Sequence, residues 1–186
     1  GFLRMVSRII QETGVDPRSI QFEMTENMVM QYVDDTITKL HALREMGIDV
    51  SIDDFGTGYS SLGYLRQFDI SALKIDKCFV QDIQIDPEDH PNDTAIVRAI
   101  IALAHSLNVT VLAEGVETEV QARFLKALEC DEAQGYYVGL PLPSDEMERL
   151  LLHPFMMIDR GSVGYSTNGI TGGAASPEYN TLEPYQ

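Results

Sequence analysis

The sequence predicts an α/β protein whose sheet is parallel and covered by helices. Two observations predict it. Short apolar or β-branched runs alternate along the chain with stretches of helical period, and four of the five runs end in carboxylates. Repeated βα units need a crossover between successive strands, which makes neighbouring strands parallel. In such folds chemistry collects at the carboxyl ends of the strands.

The elements follow in order. Phe2, Met5, Val6, Ile9 and Ile10 recur at helical spacing, and Gly14 supplies a C-terminal stop. A strand is predicted around Ile20–Thr25, then a helix over Asp34–Met46 carrying Ile37, Leu40, Leu43 and Met46 and closed by Gly47. The second strand is Ile48–Asp53. A short segment with Leu62, Tyr64 and Leu65 leads to the third, Ala72–Ile75. Gln81–Asp93 reads as an acidic loop with two prolines. An apolar helix over Thr94–Leu107 precedes the β-branched strand Val109–Ala113. A helix from Thr118 to Leu128 and a fifth strand near Ala133–Val138 come next. The last helix opens at the cap Ser144, with Asp145 and Glu146 in its first turn, and runs to Leu152.

With 186 residues the chain can bury one sizeable core. Its 29 acidic against 13 basic residues give a net charge of −16, which argues against unassisted binding of a nucleic-acid polymer and attraction to anionic lipid. Cys78 and Cys130 have no CxxC spacing and read as buried thiols in a reducing compartment. No apolar run reaches the length of a membrane span and no signal peptide opens the chain, so a cytoplasmic segment without membrane contact is expected. The chain starts at Gly1 inside an apolar-periodic stretch, which reads as a piece of something longer or a processed product.

The run Ile48-Asp49-Val50-Ser51-Ile52-Asp53-Asp54-Phe55-Gly56-Thr57-Gly58 ends a strand in paired carboxylates before a glycine loop. The last strand residue escapes the alternation of faces, so Asp53 and Asp54 can address one cavity. Adjacent carboxylates repel unless a proton or cation lies between them. Hard oxygen donors favour Mg2+ or Mn2+ over zinc. Glu23 and Glu26, Lys74 and Asp76, Glu114 and Glu117, and Gln134 stand at the ends of the other strands. The glycine loop is no dinucleotide fingerprint, because Ser61 replaces the third glycine and two aspartates would repel a pyrophosphate. The four histidines form no HExxH and no His–Asp pair, so zinc and covalent catalysis find little support.

The blocks FEMTEN, DDFGTGYSSLGYL, LKIDKCFV, VLAEGVET and CDEAQGYYVGLPLP, in this order over roughly Phe2 to Leu152, resemble the EAL-domain family of cyclic di-GMP phosphodiesterases. The resemblance implies a TIM-type (β/α)8 barrel with one strand reversed, and metal-dependent hydrolysis of cyclic di-GMP to pGpG. It implies Glu23, Asp53, Asp54 and Glu114 as ligands of a two-metal Mg2+ or Mn2+ site, with Asp53 bridging. It makes Lys74, Glu114 and Gln134 catalytic, Lys74 touching the attacking water or the phosphate. Asp76 and Gln134 would meet substrate, Glu26 would anchor the loop after the aspartate pair, and Glu117 would support the site from one layer out.

The Glu-Ala-Leu motif that names the family, and a later asparagine ligand, are absent, and Asn27 stands where the family prefers Ser or Thr. A full barrel needs about 250 residues, so about five of eight βα units are present. The chain is read as the C-terminal two-thirds of the domain, with 1–155 as partial domain and 156–186 as a largely disordered tail. Upstream regulatory domains are expected in the full-length protein. Alone, the segment is expected to be inactive and, with open sheet edges, to associate, a homodimer included. The alternative is a degenerate, non-catalytic domain that senses cyclic di-GMP or contacts other proteins.

Overall fold

Apolar residues at alternate positions give most of the short runs one face that must leave water, and the helices between the runs supply the cover. The structure, a computed structural model, describes residues 1–58, 62–83 and 91–152. Its strands are β1 (Gln21–Thr25), β2 (Asp49–Phe55), β3 (Ala72–Ile75), β4 (Thr110–Ala113) and β5 (Glu132–Ala133). They lie side by side in that order, every neighbouring pair parallel. The helices are α1 (Phe2–Thr13), α2 (Glu26–Gln31), α3 (Val33–Glu45), α4 (Leu62–Leu65), α5 (Lys77–Gln81), α6 (Pro91–Leu107), α7 (Glu119–Ala127) and α8 (Ser144–Leu152). The chain divides into two units, Gly1–Leu140 and Pro141–Gln186. All five strands belong to the first, and α8 to the second.

The core lies between one face of the sheet and the helices. Val50, Ile52, Leu73, Ile75, Val111 and Ala113 are buried there with Val29, Leu40, Leu43, Leu65, Val97, Ile101, Ala104 and Leu125. Each fully buried Leu or Ile contributes roughly 1.5–3 kcal/mol relative to exposure. Register sets the other face: Glu23 lies opposite Ser51, Ser51 opposite Ala72, and Lys74 opposite Leu112. The polar side chains are thus gathered on the face away from the helices.

Several elements depart from the sequence expectation. Helix α1 forms as expected, but Phe2, Met5 and Ile9 are exposed while Val6 is buried and Leu3 and Ile10 pack on the core. Helix α6 starts at Pro91, three residues inside the expected loop; proline fits a first turn, where its missing N–H is not needed. Strand β5 is only Glu132–Ala133, because Gly135 crosses the backbone of Val116 and the chain then turns. A Cβ at Gly135 would lie 2.3 Å from the nitrogen and oxygen of Val116, closer than any side chain permits. Helices α2 and α5 were not expected. Cys130 is buried, but Cys78 is exposed.

His–Asp pairs do occur. His41 Nδ1 lies 3.4 Å from Asp69, and His105 Nε2 lies 3.4 Å from Asp131, whose carboxylate also accepts the Val111 N–H at 2.9 Å. Sequence spacing hides both pairs because the partners lie on different elements. They tie helices to the residues preceding β3 and β5, at the end of the sheet opposite Lys74, and so bear on packing. The tail expected over 156–186 lies outside the described residues.

Candidate functional site

The site is built where β2 breaks its regular pairing. Ile52 pairs with Leu73 and Phe55 with Ile75, so Asp53 and Asp54 together stand opposite the single residue Lys74. This is a β-bulge, which inserts a residue and re-aims side chains. Asp54 takes the left-handed conformation, φ 53°, that Asp tolerates better than most residues. The strand therefore runs on to Phe55, and the bulge, not an early strand end, is what frees the aspartate pair from alternation.

Lys74 is the centre. Its ammonium contacts Glu114 Oε1 at 2.6 Å, Glu23 Oε1 at 2.8 Å and Asp53 Oδ1 at 3.2 Å. Its side chain is 7% exposed, against 23% for Asp53 and Glu114 and 51% for Glu23. Burial pushes the ammonium toward neutrality. The hydrogen bonds to Glu114, Glu23 and Asp53 outweigh that push and hold its pKa well above the usual lysine range.

Asp54 turns elsewhere. Its hydrogen bond with Asp76 raises its pKa, with burial and the charges of Asp53, Asp76 and Glu114 adding to the effect. Burial works against ionisation of Asp76, yet hydrogen bonds from the Cys78 thiol and backbone and from Asp54 hold its pKa below the carboxylate norm. Within the pair, Asp76 is therefore the stronger acid and Asp54 the weaker. Asp76 also caps α5, accepting the Cys78 N–H at 2.7 Å.

The loop after Phe55 is tied down from β1. Glu26, 1% exposed at the start of α2, accepts the N–H of Gly56 at 2.9 Å and of Gly58 at 3.2 Å. A Cβ on Gly58 would meet Glu26 Oε1 at 2.8 Å, so the carboxylate reaches the loop because that residue has no side chain.

Three of the four residues expected as metal ligands, Glu23, Asp53 and Glu114, therefore meet at one ammonium, and Asp54 is directed to Asp76. Gln134 is exposed, with its backbone N–H on Ala113 at 2.8 Å. Glu117 is exposed, and its backbone N–H donates to Gln121. Sequence reasoning missed Ser51, whose Oγ is buried on the Lys74 face with no hydrogen-bond partner. Only its position two residues before Asp53 could have drawn attention to it.

The donors suit a hard divalent cation, since all are carboxylate oxygens. In this conformation the charge they share is the ammonium of Lys74. Among the described residues no group of three or more His, Cys, Asp or Glu is arranged as a metal site.

Comparison with known proteins gives a consistent set. The family model described as EAL domain matches residues 1–141. Cyclic di-GMP phosphodiesterase NbdA of Pseudomonas aeruginosa is 43% identical over 146 residues, covering 78% of this chain and 18% of that protein. The structure of the PaMucR phosphodiesterase in complex with c-di-GMP superposes with a TM-score of 0.73 at 41% identity, covering 79% of this chain and 58% of that one. Klebsiella pneumoniae BlrP1, in a manganese/cy-diGMP complex, gives 0.63 at 33% identity, covering 72% and 33%. The chain spans 18% to 21% of the first curated relatives it matches. No described helix is long and apolar enough to cross a membrane.

Proposed function

Since this chain belongs to the EAL-domain family, we propose that it forms the larger part of a phosphodiesterase site that hydrolyses cyclic di-GMP to pGpG with a divalent cation. One observation carries the reading: Glu23 of β1, Asp53 of β2 and Glu114 just after β4 converge on Lys74 of β3, which lies between them in the parallel sheet. Relatives of 41% and 33% identity whose structures hold cyclic di-GMP, one of them with manganese, support the substrate and the cation.

Glu23, Asp53 and Glu114 would hold the cation, with Asp54 beside them. When bound, a divalent cation supplies charge neutralisation at the phosphate and a more acidic water. The chain's own residues do the rest. Lys74 keeps a full positive charge and can face charge developing on phosphate oxygens. Asp76 hydrogen-bonds with Asp54 and caps α5, which fixes where the second aspartate of the pair stands. Glu26 fixes the loop Gly56–Gly58 against β1. Gln134 lies exposed at the end of the row and is free to meet the nucleotide. Placement in the cytoplasm, control by upstream domains and pairing of two copies belong to the same proposal.

The test is hydrolysis of cyclic di-GMP by the full-length protein with Mn2+ or Mg2+, read as pGpG, for wild type and Asp53→Asn. Wild type should turn over, and D53N should lose about 10²-fold or more while keeping its circular dichroism. Near wild-type turnover by D53N overturns the site. Tight binding of cyclic di-GMP by wild type without product assigns the chain to the sensing reading instead.

A further inference from the structure

An ammonium has three N–H groups, and the Lys74 ammonium lies within reach of three carboxylates: Glu114 at 2.6 Å, Glu23 at 2.8 Å and Asp53 at 3.2 Å. Those acceptors come from β1, from β2 and from the residue after β4, while Lys74 lies on β3 between them. Its stem is held by the sheet and its side chain is only 7% exposed, so the carboxylates replace most of the water around the ammonium. Three carboxylates that close repel strongly without a counter-charge. Asp54 does not contact the ammonium and hydrogen-bonds with Asp76 instead. What holds the other three together is Lys74.

We infer that Lys74 is the resident cation of the site: in the metal-free protein it stands in for the divalent ion, and a metal ion enters in competition with it for Glu23, Asp53 and Glu114. This rests on the proposed function and adds a role distinct from contact with substrate. Exchange of one cation for another keeps the carboxylates gathered in both states. It also frees the donors of Lys74 at the moment the metal arrives, so that an ammonium with unspent N–H groups stands beside the newly filled site.

The two effects of removing Lys74 have opposite sign, which separates this role from others. A lysine that serves only packing would weaken both stability and metal binding when lost. A lysine that only touches substrate would change neither.

The experiment compares the full-length wild type with Lys74→Met, of similar length and no charge, and with Lys74→Arg. Thermal unfolding is followed by circular dichroism in EDTA, and Mn2+ affinity by calorimetry. Lys74→Met should melt lower in EDTA yet bind Mn2+ with a dissociation constant about tenfold lower, the equivalent of one modest ion pair. Lys74→Arg should keep the metal-free melting temperature closer to wild type. Should Lys74→Met be unfolded in EDTA, recovery of its far-ultraviolet spectrum on adding Mn2+ supports the inference, and no recovery overturns it. Unchanged or weaker Mn2+ binding by Lys74→Met, with wild type binding normally, overturns it while leaving the phosphodiesterase reading standing. Failure of wild type to bind Mn2+ removes both.

Discussion

Glu26 is almost fully buried and accepts two backbone N–H groups of the loop that follows the aspartate pair. Replacing it with alanine leaves both donors without that acceptor and opens a gap where a buried carboxylate stood. Glu26→Ala is expected to cost about 2–4 kcal/mol by urea unfolding, and Glu26→Gln, which keeps one acceptor oxygen, clearly less. Equal losses in the two variants would mean the carboxylate charge, not its acceptor role, anchors the loop. Much at this scale was legible in the sequence: Glu23, Asp53, Lys74 and Glu114 each lie within or just after a strand, and parallel pairing brings them together. The parting of Asp53 and Asp54 was not. It depends on a bulge, set by how two strands settle against each other, and the doublet itself reads the same either way.

Helix α7 shows what a well-specified element looks like. Thr118 accepts the N–H of Gln121, and the Gln121 side chain returns to the N–H of Thr118 at 2.9 Å and of Glu117 at 2.7 Å. Thr118→Ala breaks half of this capping box and is expected to cost about 1 kcal/mol, lowering the melting temperature by roughly 2–4 °C. An unchanged melting temperature would place the cap in Gln121 alone. The long elements with a clear period, α1, α3, α6 and α7, were readable within a few residues of their ends. Helices α2 and α5 were not, because six and five residues give too few turns for a period to show. Strand β5 was overestimated because the apolar run through Tyr137 and Val138 is a turn after Gly135, which a hydrophobic pattern cannot distinguish from a strand.

For the molecule as a whole, the excess of 29 acidic over 13 basic residues sets the long-range electrostatics. Paired charges such as Arg8–Glu12 and Lys39–Asp35 absorb only part of it. The remainder repels itself in the folded state, and added salt should relieve it. Raising NaCl from about 10 mM to about 200 mM, which brings the screening length below roughly 10 Å, should raise the melting temperature by a few degrees. A fall would show that attractive surface pairs dominate. The parallel sheet could be anticipated from alternating βα units, whereas the position of the lysine in the middle of the carboxylates depends on how the strands pair.

The strands also stand in the sheet in the order in which they occur in the chain, each beside the one before it. A nascent polypeptide leaving the ribosome could therefore lay down this sheet unit by unit, every new strand finding its template already in place. Glu23 and Asp53 would wait as an unmatched acidic pair until β3 emerged, and the arrival of Lys74 would mark the first point in synthesis at which the pocket is electrically tolerable.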